Sequence, residues 1–367
     1  MNYDAIFVGA GISCLYAAYK YKLKYPDRKF VILEKSIHIG GRVDWASFEG
    51  IEVTKGAGVI REKDKLLLEL LDELNVGCTA SKRKLGNLSV KLNIDKLTEN
   101  LGKLIQGETF KAFAIRILGD TEYQKFKIEV GYTDYENYDA QVALKYYGFD
   151  DTYGSRTIFR YKWSQLIKAI VDKIGNNNIH ILENVIKVKN NSVTVEKLNK
   201  KQVVYNAQII YVGTTINVLR KLFPTINAYR YIESQPFIRI YVKLNKHLDI
   251  SENYHTDSPL QKMFNISDNI YMIYADNANA LYLKNLKKDE LLHTLRLEFN
   301  DSEIKILKYV KYFWKHGTHY YKPLPQDLGL DALLDQAKHP CAGIHVIGEV
   351  VAYNQGWIGS TLKTVEI

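Results

Sequence analysis

The chain opens with two apolar runs flanking an amphipathic stretch. DAIFV (4–8) and KFVILEK (29–35) are short and nearly continuous in apolar residues, which predicts two buried strands. Between them Leu15, Ala18, Tyr19 and Lys22 recur at helical spacing, so a helix is expected from about Ser13 to Tyr25, ended by Pro26 and Asp27. DKLLLELLDEL (64–74) predicts a further helix, capped by Asp64. From Ser81 to Asp151 the period turns helical. Ile94, Leu97, Leu101, Leu104 and Ile105 form a stripe, and more helical segments follow through Tyr146, which predicts a helical insertion. YKWSQLIKAIVDKI (161–174) is amphipathic again, with Trp163, Leu166, Ile167, Ile170 and Ile174 on one side. Short strands then follow at 179–182, 185–188, 192–195 and 208–212, separated by polar turns such as Lys189-Asn190-Asn191. FIRIYVKL (237–244) alternates, IYMIY (270–274) is another strand, and IHVIG (344–348) ends in Gly348-Glu349.

A strand–helix–strand start followed by mixed elements predicts an α/β fold. At 367 residues the chain exceeds a comfortable single core, so two lobes interleaved in sequence are expected. The net charge of +9 is spread over scattered lysines, and the longest basic cluster is only Lys82-Arg83-Lys84. That pattern reads as a solvated basic surface and predicts no specific nucleic-acid partner. Three cysteines, Cys14, Cys78 and Cys341, are too few and too odd for a disulfide framework and point to a reducing compartment. No Cys/His cluster has metal-ligand spacing, and His316 and His319 read as surface or hydrogen-bonding residues. The apolar stretch Ala5–Ala10 lacks a basic flank and a cleavage site, and no run is long enough to span a bilayer. A soluble cytoplasmic protein is the expectation, with the oligomeric state left open.

The chemistry starts at GAGISC (9–14). Gly9 allows a sharp turn after the first strand. Gly11 allows close approach of the backbone to a pyrophosphate, and the helix beginning at Ile12-Ser13 aims its N–H groups and positive dipole end at the phosphates. Cys14 stands where a third glycine is usual. It is small, so close helix–strand packing is expected to persist. Glu34 ends the second strand, where a carboxylate accepts from ribose hydroxyls and repels a 2′-phosphate; Lys35 follows it. Gly40-Gly41-Arg42 adds a second glycine pair and a fixed cation near the diphosphate, which favours FAD over a nicotinamide cofactor.

The run from Asp4 to Val43 resembles the start of the flavin-containing amine oxidase family, part of a wider group of two-domain FAD oxidoreductases. Residues 48–76 resemble the stretch that passes beside the isoalloxazine ring, which implies that Gly56, Ala57, Gly58, Val59 and Ile60 lie near the flavin. Residues 183–214 are similar to the family's small β-meander returning to a Rossmann strand, where Val185 would hold the adenine. AGIHVIGEVVAYNQGWIGSTL (342–362) resembles the C-terminal flavin motif. It implies Gly348 and Glu349 at the ribityl chain, and Gly356, Trp357 and Ile358 at the ring. The implied fold is a discontinuous Rossmann-type FAD-binding domain (1–80, 156–225 and 341–367) with an α+β substrate domain of sheet plus helical insertion (81–155 and 226–340).

Two departures from the family pattern stand out, beside one feature that matches it. The tail reads Gly356-Trp357-Ile358-Gly359-Ser360-Thr361, without the usual acidic residue, and Ser360 or Thr361 is expected to cap a helix there. Arg239 falls where amine oxidases carry a lysine that holds a water near flavin N5. Alternation puts Phe237, Arg239, Tyr241 and Lys243 on one strand face, which either lines the flavin cavity or meets solvent. Trp357 matches one wall of the family's aromatic cage, with a second wall to come from 311–324 through Trp314, Tyr320 or Tyr321, Trp314 itself reading first as core. Cys341 sits outside the pattern of covalent attachment, so FAD is expected to be non-covalent.

The resemblance implies an FAD-dependent oxidoreductase of the amine oxidase type, with Arg239 and Trp357 as catalytic candidates. A small-molecule amine would give a hydride equivalent to flavin N5, and O2 would reoxidise the flavin, yielding H2O2. Three alternatives stand beside it: a same-fold desaturase or oxidase on a non-amine substrate, a sugar mutase-like flavoenzyme, and a non-catalytic FAD-binding module.

Overall fold

The computed structural model describes residues 1–86, 88–251 and 253–367, with side chains for all of these except 83–86, 155 and 156. The side chains of Arg83 and Lys84 in the basic cluster thus lie outside the described residues. The chain divides into two compact units. One comprises Met1–Arg83, Ser155–Glu233 and Leu324–Ile367, the other Lys84–Gly154 and Ser234–Pro323. The fold class is the expected α/β.

In the first unit, strand β1 (Asn2–Val8), helix α1 (Ile12–Lys24) and strand β2 (Phe30–Leu33) form the predicted β-α-β start. β1 pairs in parallel with β2 on one side and with the second half of strand Gln202–Val212 on the other. That long strand serves two pairings. Its first half closes an antiparallel meander with Ser192–Lys197 and Glu183–Lys189, and its second half joins the parallel core beside Ile344–Val346. Its C-terminal end and that of β1 open at one edge of the sheet, the usual ligand side of an open α/β sheet. α1 packs with helix Trp163–Ile174 over this sheet, burying Leu15, Ala18, Trp163, Leu166 and Ile170 in one core. Strands β3 (Trp45–Phe48) and β4 (Ile51–Thr54) make a hairpin, β5 (Ile60–Arg61) follows, and helix α2 (Lys65–Glu73) buries Leu67, Leu70 and Leu71.

In the second unit, five strands order as Asn253–His255, Lys262–Ser267, Ile270–Asp276, Ile232–Leu244 and Ile306–Tyr321. One face packs Ile238, Ile240, Val242, Ile273 and Ala275 against helices Asn277–Asn285 and Lys288–Phe299. The helical insertion is tied to this sheet through Asp276. Its buried carboxylate accepts from the backbone N–H and hydroxyl of Thr133 and from Gln261 Nε2 at 3.1 Å. Burial pushes the Asp276 carboxyl up, against the pull of these hydrogen bonds.

Several expectations are corrected. Thr79–Gly86 is a strand, so the insertion turns helical only at Leu88. Its polar and charged residues carry no 3.6-residue apolar stripe. That helix stops at Glu99, before Asn100 and Gly102, and Ile105 beyond it is 58% exposed instead of core. The aromatic run 311–321 belongs to the 16-residue strand Ile306–Tyr321, in which Trp314 is half-buried. Of the two alternatives for His319, surface or hydrogen-bonding, its full burial removes the first. Asp64 holds the N-cap position of α2, but its side chain accepts no capping hydrogen bond: its carboxylate accepts from Arg61 instead.

His255 illustrates what this core does to a titratable group. Its ring packs against Gly131, its Nδ1–H donates to the Glu129 carbonyl at 2.9 Å, and burial plus the nearby Lys262 charge push its pKa down to about 3. The folded protein therefore keeps His255 neutral where the unfolded chain protonates. Its stabilising contribution is whole above about pH 6.5 and is lost as pH falls toward 3, at about 1.4 kcal/mol per pH unit. Denaturant midpoints measured between pH 7 and pH 4 should fall more steeply for the parent than for His255→Gln; parallel curves would contradict this.

Candidate dinucleotide and flavin site

The turn after β1 is built for close backbone approach. Gly9 has φ +98°, and a Cβ on it would lie 2.7 Å from the Gly213 carbonyl oxygen. At Gly11 the situation reverses: nothing lies within 4 Å of where a Cβ would stand, so its bare Cα faces open space. Ala10 N donates to Glu34 Oε2 at 2.8 Å, and Glu34 Oε1 accepts from Ser36 N at 2.9 Å. Each carboxylate oxygen keeps a second lone pair for a ribose hydroxyl. Gly40 N donates to the Ala10 carbonyl at 2.8 Å, which folds the second glycine pair over the first loop. Ser13 is nearly buried at the start of α1, its hydroxyl beside Gly213 and Gly348.

Cys14 takes the third-glycine position without opening the packing, because Gly213 opposite it has no side chain; a Cβ there would meet Cys14 Sγ at 2.6 Å. The thiol is fully buried, donates to the Val8 carbonyl at 3.4 Å, and is pushed up to about 12 chiefly by burial. Two consequences are expected. Ellman's reagent titrates only the exposed Cys78 and Cys341 in the folded protein, and Cys14 after denaturation. Cys14→Gly leaves dinucleotide affinity nearly unchanged.

The C-terminal motif returns to the same loop. Arg42 Nη1 forms an ion pair with Glu349, whose carboxylate is 5% exposed. The other oxygen of Glu349 accepts from Gly356 N at 2.9 Å. One buried carboxylate thus joins the Gly40-Gly41-Arg42 turn to the turn that carries Trp357. Gly56 lies against the same segment: Ala57 N donates to the Arg42 carbonyl at 2.9 Å. Ile60 is fully buried, while Ala57, Gly58 and Val59 are half-buried. Val185 pairs with Val195 in the meander, next to Glu34, whose carbonyl accepts from Glu183 N at 2.9 Å. Lys35 is exposed and stands outside this network.

The tail motif does form a helix, Ile358–Leu362. Neither Ser360 nor Thr361 caps it. Trp357 is the N-cap residue, Thr361 Oγ1 donates back to the Trp357 carbonyl at 3.0 Å, and Ser360 Oγ accepts from Asn354 N. Trp357 is half-buried with the Arg61 guanidinium carbon 3.6 Å from its ring centroid. Arg61 was not singled out by sequence reasoning; a lone arginine after a buried isoleucine carries no periodic or motif signal.

Arg239 lies in the second unit. Its strand face is largely shielded from solvent: Phe237, Arg239 and Tyr241 are 6%, 8% and 2% exposed, and Lys243 at its end is half-buried. Register places Arg239 and Lys262 on either side of Tyr274, whose ring stacks on Phe237. A strand with a buried apolar face and a largely buried aromatic-cationic one is what the alternation of FIRIYVKL left undecided.

Residues 8–74 match the family described as an NAD(P)-binding Rossmann-like domain. No curated protein matches the sequence. Among solved structures, putrescine oxidase, in a wild-type form bound to putrescine, superimposes with a TM-score of 0.77 at 15% identity, covering 99% of this chain and 97% of that one. Cyclohexylamine oxidase from Brevibacterium oxydans IH-35A gives a TM-score of 0.76 at 15% identity over the same shares. The fold is that of these amine oxidases. Because the match runs along nearly the whole chain, it takes in both units, not the Rossmann start alone. Among the described residues no helix is long and apolar enough to cross a membrane.

Proposed function

We propose that the protein is an FAD-dependent oxidoreductase of the amine oxidase type, acting on a small-molecule amine. The observation that carries the reading is the linkage of Gly11, the 40–42 turn, Glu349 and the Trp357 turn into one cradle, on a fold shared with two amine oxidases. The residues present fit the group. Open space at Gly11 suits a pyrophosphate, Glu34 suits a ribose, and the half-buried Arg42 paired with the buried Glu349 suits the polar middle of a long dinucleotide. FAD, non-covalently bound, would accept a hydride equivalent from the amine-bearing carbon and pass two electrons to O2, giving H2O2. Gly9, Gly11, Ile12, Ser13, Glu34, Gly41 and Arg42 serve its adenosine and diphosphate half, with Val185 at the adenine. Gly348 and Glu349 serve the ribityl chain, and Gly56–Ile60 with Gly356–Ile358 the ring. Arg239 would supply a guanidinium cation to stabilise negative charge where the family's lysine stands.

The test is an anaerobic panel of mono-, di- and polyamines followed by absorbance, then admission of O2 with peroxide detection. Bleaching by an amine and stoichiometric peroxide are expected. Bleaching only by non-amine substrates would move the chain to another same-fold flavoenzyme, and no productive bleaching at all would leave a binding module.

A further inference from the structure

We propose that Arg61 and Asp64 form a buried charged lock that fixes the indole of Trp357, making Arg61 a positioning residue for the ring end of the site. The inference rests on the reading of residues 356–358 as that end.

Five observations converge. Arg61 and Asp64 are 4% and 3% exposed, so the charges are held away from water. Asp64 accepts three hydrogen bonds from Arg61 alone: from its backbone N at 2.9 Å, Nε at 3.1 Å and Nη2 at 2.7 Å. Asp64 gives up the N-cap bond that its position on α2 offers, although such a bond normally stabilises a helix. The guanidinium so fixed lies at stacking distance from the Trp357 ring. Gly359 completes the arrangement, since a Cβ there would lie 2.3 Å from Asp64 Oδ1. Segments 60–64 and 357–359, almost 300 positions apart, are thus committed to each other through one carboxylate.

Buried ion pairs are weak sources of stability compared with apolar packing. What this pair supplies is a defined plane. A guanidinium held by two oxygens has one orientation, and an indole stacked on it inherits that orientation. The same stack covers one face of Trp357 with a permanent cation. A substrate ammonium therefore meets Trp357 on its other face or edge, not as one layer of an open cage.

The test uses the full-length protein as purified. The difference in near-ultraviolet circular dichroism between the parent and Trp357→Phe isolates the Trp357 band, and FAD titration reports the site. Three variants are compared: Arg61→Met, Arg61→Lys, and Arg61→Met/Asp64→Leu, which removes both charges and keeps the fold if Arg61→Met alone does not. The Trp357 band is expected to disappear in all three. Arg61→Lys keeps the charge but not the plane, so it should fail to rescue. FAD affinity should fall about tenfold in the double variant. A parental Trp357 band in the double variant, or full rescue by lysine, would overturn the proposal. A parent that takes up no FAD, with the band still lost in the variants, would sink the flavin reading and leave the lock standing.

Discussion

Gly56→Ala is expected to destabilise the first unit by about 3 kcal/mol or more and to abolish FAD uptake. The reason is distance, not backbone conformation. A Cβ at Gly56 would lie 2.0 Å from the Arg42 carbonyl oxygen and 3.0 Å from its carbon, and both are main-chain atoms that no rotamer change can move. Relief requires the 40–43 turn to shift, which also breaks the Ala57 N to Arg42 O bond. The turn carries Gly41, whose own Cβ direction points at Gly11 Cα from 3.1 Å, so the displacement reaches the phosphate loop. Thermal unfolding and FAD titration check this. Gly11→Ala is the informative partner, because nothing within 4 Å opposes its Cβ. It should fold with parental stability yet bind FAD poorly, since the methyl projects into the space the pyrophosphate needs. If both alanines behave alike, the difference between a packing glycine and a ligand-facing glycine has been misassigned.

Glu349→Ala should cost about 2 kcal/mol and weaken FAD more than tenfold. The substitution removes the acceptor of Gly356 N and the counter-charge of Arg42 together. Arg42 is 29% exposed along its side chain, so water recovers part of the loss on that side. Gly356 is itself exposed, so water recovers part of the loss there too, but the turn loses the acceptor that shapes it, and that turn positions Trp357. Glu349→Gln keeps the shape and the Gly356 bond but not the charge, so it should fall between the parent and alanine in both urea midpoint and FAD affinity. Equal effects of Gln and Ala would mean the charge, not the turn, carries the role.

Legibility differed sharply between the two units. The β-α-β start was readable because its signals are local: two apolar runs, a 3.6-residue stripe and glycines at fixed offsets. The meander was readable from its turn residues. The pairing of Arg42 with Glu349 spans 307 residues and was not, although each residue was separately placed at the same cofactor. Asp64 looked like a helix cap, and its true partner, Arg61, lies three residues before it, a spacing that also serves surface ion pairs. In the second unit, the strand Ile306–Tyr321 hid among aromatics that read equally well as a cage or a core. Gly317 explains part of that strand: its missing side chain makes room for Phe237, whose ring atom would lie 2.2 Å from a Cβ. Nothing local in either segment announces that contact. The burial of most of both faces of FIRIYVKL depends likewise on what other strands place over it, and period-two alternation cannot distinguish a wet face from an aromatic one.

The most direct measurement is the visible absorbance spectrum of the purified protein, before and after incubation with FAD and again after denaturation. The account predicts a two-band oxidised-flavin spectrum that saturates with added FAD, and pigment that leaves the chain when it unfolds. A protein that remains colourless at saturating FAD would contradict it, because the Gly11 cradle, Glu34 and the Arg42–Glu349 link would then hold no flavin.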